Sequence, residues 1–269
     1  MRKALLPVFC VVLCLILASC ATQNPFGEKN PYVYVIGQKG SYVFSTTDKE
    51  VAQSFAELDP LEYKRVTGCF DPLTGRMYGA IEGDFKRGIV NTGLSLSGQF
   101  EKVREKDFSY WRHKDSGIEL FVPANGIILF ATSGIADVRQ STFLNPVPTE
   151  RADLASVIVS VDTGVYVNEP VEIPDVGLDL DSAAAEKFDY IMLLAEGNRY
   201  DLDFGLKSEE YASTFLTLLR AAYVTALREA GEKVDVKALK NIVYGSGKTV
   251  YLKEQVLDKN IITSILTEK

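Results

Sequence analysis

The chain contains a single histidine, which limits the acid–base chemistry that it could perform near neutral pH. His113 lies between Arg112 and Lys114 in a segment that alternates like a β-strand. A Ser-His-Asp or Cys-His arrangement would have to use this imidazole, because no other side-chain type ordinarily titrates in that range. The sequence contains no Gly-x-Ser-x-Gly nucleophile motif. A solvent-facing strand residue is therefore the simpler interpretation of His113, and an envelope hydrolase that uses it stays open as the alternative function.

Acidic residues could supply the pair of carboxylates that glycoside hydrolysis requires. Four of them are candidates for such a pair: Glu82, Asp84, Glu119 and Glu196. Their separations cannot be read from the sequence, so they belong to the same alternative hypothesis of a hydrolase. The leading prediction is that the chain is not an enzyme.

The composition argues against a metal site or a cofactor. One histidine and one remaining free cysteine cannot build a typical zinc site. The pair Asp179/Asp181 lacks the glycine and the glutamate that a calcium loop places after its first ligands. Asp201 and Asp203 alternate with apolar residues of a strand, which predicts that both carboxylates face water. We therefore predict neither a metal ion nor a cofactor.

The run Gly245-Ser246-Gly247-Lys248-Thr249 looks like the end of a phosphate-binding loop. That motif needs a further glycine five residues before Gly247, and Ile242 occupies the position. The motif must also open a helix, whereas the residues after it read as a strand. A tight turn between two strands is the better interpretation.

The first twenty residues carry the most specific motif of the chain. A short basic start precedes an apolar run from Ala4 to Ile16, which is shorter than the about 20 residues that a membrane-spanning helix needs. Leu17-Ala18-Ser19-Cys20 follows as a lipobox, where a signal peptide is cleaved and the new N-terminal cysteine is lipidated. The chain thus resembles bacterial lipoproteins. The resemblance implies a signal peptide over residues 1–19, and diacylglyceryl and palmitate-type acyl chains on Cys20 that attach the protein to a membrane.

The cysteines leave no pair for an intramolecular disulfide. Cys10 and Cys14 would leave with the signal peptide and Cys20 would be lipidated, so Cys69 remains alone. Its surroundings, Val66-Thr67-Gly68-Cys69-Phe70, predict a small buried apolar residue.

The negative net charge of the chain argues against partners that need a positively charged surface. Loss of residues 1–19 leaves 250 residues with 27 basic and 36 acidic side chains, a net charge of −9. No cluster of Lys and Arg is visible along the sequence. Nucleic acid and anionic lipid headgroups both require local positive potential. We expect no nucleic-acid partner, and we expect the lipid rather than a basic surface to hold the protein to the membrane.

Alternating segments and turn residues predict an α+β fold with antiparallel sheets and helices on one face. Residues 20–30 are polar and predict a tether with a reach of about 15–20 Å. Two runs, Tyr32–Ile36 and Ser41–Ser45, flank a Gly-containing turn and predict a hairpin. After them the order hairpin, helix, hairpin, helix occurs twice. It predicts a duplicated unit, over residues 31–148 and 149–269.

The helix predicted over Ser208–Ala230 is the clearest element, and Gly231 marks its end. Its apolar residues recur with helical spacing and form one broad stripe. Six of them form the face that we predict for an apolar ligand or a membrane: Tyr211, Phe215, Leu218, Leu219, Tyr223 and Leu227.

In its size, lipobox and mixed α/β content with amphipathic helices, the chain resembles treponemal outer-membrane-associated lipoproteins that face the periplasm. The resemblance implies a tandem α/β fold, apolar helices that can engage a bilayer, and no catalysis. The expected location is the periplasmic face of the outer membrane. The expected function is that of a binding or structural module whose partner is an unknown envelope protein or an apolar ligand.

Overall fold

The computed structural model describes residues 41–49, 51–52, 63–71, 74–140, 156–170 and 182–256. The predicted signal peptide, Cys20, the tether and the strand predicted over residues 32–36 lie outside the described residues. No helix of the described part has the length and the apolar character that crossing a membrane would require.

The described residues include twelve strands, four α-helices and a 3-10 helix over Ser182–Lys187. The strands are β1 (Tyr42–Thr46), β2 (Tyr63–Asp71), β3 (Arg76–Gly83), β4 (Phe100–Arg104), β5 (Ser109–His113), β6 (Glu119–Ala124), β7 (Ile127–Ala131), β8 (Thr163–Asn168), β9 (Phe188–Glu196), β10 (Arg199–Leu206), β11 (Val243–Ser246) and β12 (Thr249–Val256). The helices are α1 (Arg87–Leu96), α2 (Ile135–Arg139), α3 (Glu209–Glu229) and α4 (Val236–Ile242).

All twelve strands belong to one antiparallel sheet in the order β11-β12-β10-β9-β8-β1-β2-β3-β7-β6-β5-β4. The central pair is β1 with β8, where Phe44 lies opposite Val165. On one side of this pair the hairpin β2–β3 is followed in the sheet by β7, and on the other side the hairpin β9–β10 is followed by β12. In the sequence a helix, α1 or α3, comes after each hairpin, and β7 and β12 are reached through the strands β6 and β11 that precede them. The predicted α+β class, with antiparallel strands and packed helices, is confirmed. The division into units at residues 148 and 149 stays a prediction.

The predicted hairpin of Tyr32–Ile36 with Ser41–Ser45 is wrong. Strand β1 pairs with β2 on one side and with β8 on the other along its whole length. No edge of β1 is left for a preceding strand. All five of its residues are buried, because a central strand is covered on both faces.

Helices α1, α3 and α4 pack on one face of the sheet. The contact of α3 centres on Phe215, whose ring lies 5.0 Å from the rings of both Phe188 on β9 and Phe204 on β10. Ser208 caps the helix, because its Oγ accepts a hydrogen bond from the backbone N–H of Tyr211 at 3.2 Å. The helix predicted over 208–230 is thus confirmed to within a residue at each end.

The opposite face of the sheet is also covered. Ile135 and Val138 of α2 are buried against the apolar residues of β6 and β7 on this side. Ile158, in a short helical segment, lies directly over Gly164 of β8. A Cβ at position 164 would come within 2.5 Å of the backbone oxygen of Ile158, so only glycine permits this approach. Packing on both faces explains why several strands are buried throughout rather than at alternate residues.

Candidate functional site

The structure divides the six residues of the predicted ligand or membrane face of α3 into three groups. Phe215 and Leu219 are buried in the core between α3 and the sheet. Tyr223 and Leu227 are half-buried. Tyr211 and Leu218 are exposed, at 38% and 59% of their surface. Tyr211 and Leu218 offer the most surface to a ligand or a bilayer in this arrangement, whereas the buried pair holds the helix on the sheet.

Other large apolar side chains are exposed on the same helical layer. Ile89 and Leu96 of α1 are 72% and 80% exposed, and Val236 of α4 is 63% exposed. Helices α1, α3 and α4 all pack into the same core cluster through their inner sides. Ile89, Leu96, Leu218 and Val236 therefore lie on the outer side of one layer, which we call the outer helix face.

The charges of α3 differ from those of a helix that binds anionic membranes. Its first turn carries Glu209 and Glu210. Arg220 lies inward, where its Nε donates a hydrogen bond to the backbone oxygen of Val243 at 3.0 Å. This contact ties α3 to the edge strand β11. A membrane-surface helix usually has Lys and Arg along its polar face, and α3 has only Arg228 besides Arg220.

The prediction that both Asp201 and Asp203 face water is wrong for Asp203. Its side chain is 12% exposed, and its Oδ1 accepts a hydrogen bond from Lys253 Nζ at 2.7 Å. The same ammonium lies 3.3 Å from Oδ2 of Asp201, which is partly exposed. Burial raises the pKa of Asp203, against the opposing effect of the Lys253 charge. Burial by itself would lower the pKa of Lys253, but its two carboxylate neighbours outweigh that effect and raise it.

A β-bulge brings these three side chains together. The register of β10 with β12 shifts between Tyr200 and Leu202. Opposite the shift, Glu254 has a positive φ of 59°, and its backbone N–H donates to Asp201 Oδ1 at 2.8 Å. Bulges re-aim side chains in this way, and here the bulge places Lys253 over two carboxylates. The cluster is internally satisfied and acts as a structural contact between β10 and β12.

His113 lies at the end of β5 in the turn that leads towards β6. Its Nδ1 accepts a hydrogen bond from the backbone N–H of Ser116 at 3.1 Å, and Ser116 Oγ lies 3.0 Å away. The ring of Phe100 contacts the imidazole edge-to-face at 5.0 Å. A hydrogen bond from a backbone N–H makes Nδ1 an acceptor and stabilises the turn, which is a structural use of the histidine.

The candidate carboxylates of a hydrolase are spread over the sheet. Glu119 is buried and accepts hydrogen bonds from Arg112 at 3.0 Å and from the backbone N–H of Ile135, the first residue of α2, at 2.8 Å. Asp84 pairs with Lys64 at the surface. Glu82 lies opposite Ile127 at the start of β7, whereas Glu119 lies opposite Ala131 at the end of β7. Glu196, at the β9–β10 turn, is on the other side of the central strand pair. The structure does not bring these four residues together.

Cys69 is buried, as predicted, with 1% of its surface exposed. Burial raises the pKa of its thiol to about 11, so the thiol stays protonated and unreactive at neutral pH. Within the described residues no group of three or more His, Cys, Asp or Glu side chains is arranged to hold a metal ion. The pair Asp179/Asp181 lies outside the described residues.

The sequence matches no protein family, and no curated protein matches it. The structure is similar to crystal structures of TP0453, a treponemal outer-membrane-associated protein. Crystal form I has a TM-score of 0.55 and 10% sequence identity, over 90% of this chain and 98% of TP0453. Crystal form IV gives the same score and identity over 89% and 97% of the two chains. At this identity the likeness concerns the fold, and it extends over nearly the whole of both proteins.

Proposed function

We propose that the chain is a non-enzymatic, lipid-anchored protein of the cell envelope, attached through Cys20 and facing the periplasm from the outer membrane. Its folded part would act as a binding or structural module at the membrane surface. Three observations support this proposal: the lipobox, the fold likeness to an outer-membrane-associated protein, and the outer helix face. The outer helix face carries the proposal of a binding module, because it is the surface on which we expect a partner to bind.

The outer helix face has the character of a contact surface. Exposed apolar side chains are normal when they are scattered singly. Here they lie on three helices on the same face of the sheet, Ile89 and Leu96 near β4 and β6 and Leu218 and Val236 near β11 and β12, so the outer helix face consists of two apolar areas at opposite ends of the sheet. Leu96 is 80% exposed and Leu218 is 59% exposed. Contact with an apolar ligand, with lipid or with an envelope protein would remove this surface from water, which is favourable by about 25 cal/mol per Å². A tether of about 15–20 Å would keep the folded part close to the bilayer.

Site-specific photo-cross-linking in intact cells tests the proposal. A photoreactive amino acid is placed at Leu96 or at Leu218 on the outer helix face, and as a matched control at Ala136. Ala136 is also exposed on a helix, but α2 packs on the opposite face of the sheet. We expect adducts with lipid or with one envelope protein from positions 96 and 218 and none from position 136. Equal labelling from all three positions, or none from 96 and 218, would contradict the proposal.

A further inference from the structure

A cavity of about 580 Å³ lies where the β4–β5 turn meets the start of α1. Basic residues from three parts of the chain line it: Arg87 on α1, Lys102 and Arg104 on β4, and Arg139 on α2. The backbone N–H of Arg87 donates to Asn125 Oδ1 at 2.8 Å, which fixes the start of α1 against the β6–β7 turn. The fold thus assembles a basic cluster that is invisible along the sequence, contrary to the expectation that the chain has none.

The four cations have no acidic partner in the described part of the chain. Ion pairs occur elsewhere, as for Arg112 with Glu119 and for Lys253 with Asp203, but Arg87, Lys102, Arg104 and Arg139 form none there. Two carboxylates, those of Glu105 and Asp107, also line the cavity. The cavity therefore carries a formal charge of +2 in a chain whose overall charge is negative. Such a local reversal of sign concentrates anions.

Arg139 is held in a way that suits anion recognition. Its guanidinium lies 4.5 Å from the ring centre of Phe108 and 5.7 Å from that of Phe121. These two rings contact each other edge-to-face at 5.3 Å, so they form a rigid support. The Nε of Arg139 is buried and has no hydrogen-bond partner within the described residues. The two rings fix the plane of the guanidinium, which lines the cavity, and a guanidinium with a fixed plane can bind an anion through two parallel hydrogen bonds from its terminal nitrogens.

We propose that this cavity binds a phosphate-bearing small molecule. A phosphate monoester has two negative charges near neutral pH, which matches the formal charge of the lining, and its oxygens suit the guanidinium fork. The volume falls within the range of small-molecule sites, about 300–1,000 Å³, and so leaves room for an organic substituent beside the phosphate. Such a group could belong to a soluble metabolite or to the headgroup of a lipid. The inference does not depend on the lipid anchor or on the outer helix face.

Calorimetric titration of the full mature protein in a neutral detergent tests the inference. The ligands are inorganic phosphate, glycerol phosphate and short-chain phosphatidic acid, which all carry a phosphate that can hold two negative charges, and short-chain phosphatidylcholine serves as the zwitterionic comparison. Binding of inorganic phosphate or glycerol phosphate indicates a soluble phosphate, whereas binding of phosphatidic acid alone indicates a lipid headgroup. Either result supports the site. Absence of binding by all of the anionic ligands overturns it.

Two variants distinguish binding in the cavity from a general effect of the protein's charge. Arg139→Gln should weaken binding by at least about tenfold, because charge-assisted hydrogen bonds are lost. Arg199→Gln removes the same charge from an exposed position on β10, far from the cavity in the strand order, and should leave the affinity within about twofold. Circular dichroism checks the fold, and Arg104→Gln, at the end of the exposed edge strand β4, replaces Arg139→Gln if the latter unfolds. Equal loss of affinity in the cavity variant and in Arg199→Gln would overturn the inference.

Discussion

Cys20→Ser, placed behind a secretory signal peptide that is cleaved without lipidation, is expected to move the protein from the membrane fraction to the soluble periplasmic fraction. Each buried CH₂ group of a lipid contributes about 0.8 kcal/mol to membrane affinity, and two or more acyl chains give stable attachment. The folded part offers little to replace them, since α3 begins with two acidic residues and Arg220 is turned towards β11. Cell fractionation with quantitative immunoblotting measures the shift.

Cys69→Ala is the matched control for this experiment. It removes the other cysteine of the mature chain, which is buried in the sheet, and it should leave the protein in the membrane fraction. Persistent attachment of the folded Cys20→Ser protein would contradict the expectation. It would show that the folded part, rather than the lipid, supplies the affinity.

Lys253→Met is expected to lower the free energy of unfolding at pH 7 by about 3 kcal/mol, because it leaves the buried Asp203 carboxylate without its counter-charge. Lys64→Met is the matched control. Lys64 and Asp84 are also 2.7 Å apart, but their side chains are 65% and 76% exposed, so the control should lose less than about 1 kcal/mol. Urea denaturation followed by circular dichroism measures both. Equal losses of unfolding free energy in the two variants would show that burial does not strengthen the ion pair of Lys253 with Asp203.

The loss of unfolding free energy that Lys253→Met causes should depend on pH. The pKa of Lys253 is raised above its ordinary 10.5 in the folded protein, so its contribution is fully present below pH 10.5 and is lost as the pH rises through the raised value. The difference between the wild type and Lys253→Met should therefore narrow at pH 11. It should also narrow at acidic pH, because the pKa of Asp203 is raised by burial and a protonated carboxyl needs no cation. A deficit that is constant from acidic to alkaline pH would contradict the ion-pair explanation.

Local patterns predicted helix α3 and the fold class well, but they did not predict α4. The stripe of α3 and its cap at Ser208 set its limits. A Gly-containing turn joins the antiparallel strands β11 and β12 as predicted, but it lies at residues 247–248, because Gly245 and Ser246 pair as part of β11. These features depend on neighbouring residues and on periodicity, which the sequence displays directly. The buried position of Cys69 followed for the same reason, because its neighbours in the strand are apolar or small.

Long-range features were not predictable in this way. Strand β1 was expected to pair with residues 32–36. It pairs instead with β2 and with β8, and the residues of β8 lie more than a hundred positions away along the chain. Asp203 has the alternation of a solvent-facing residue, but a bulge on β12 places Lys253 over it. Arg87, Arg104 and Arg139 are widely spaced along the chain and line one cavity only because β4, α1 and α2 each bring one of them to the same end of the sheet. Each case depends on register and on packing of both sheet faces, which a single strand does not encode.

Mass spectrometry of the N-terminal tryptic peptide, from protein isolated out of its native envelope, tests the proposed anchor most directly. We predict a peptide that spans Cys20–Lys29, begins at Cys20, and carries a diacylglyceryl group on the thiol and an acyl chain on the amino group. A peptide that retains residues before Cys20, or one that begins at or after Cys20 without a lipid, would contradict the proposal that the chain is a lipid-anchored envelope protein.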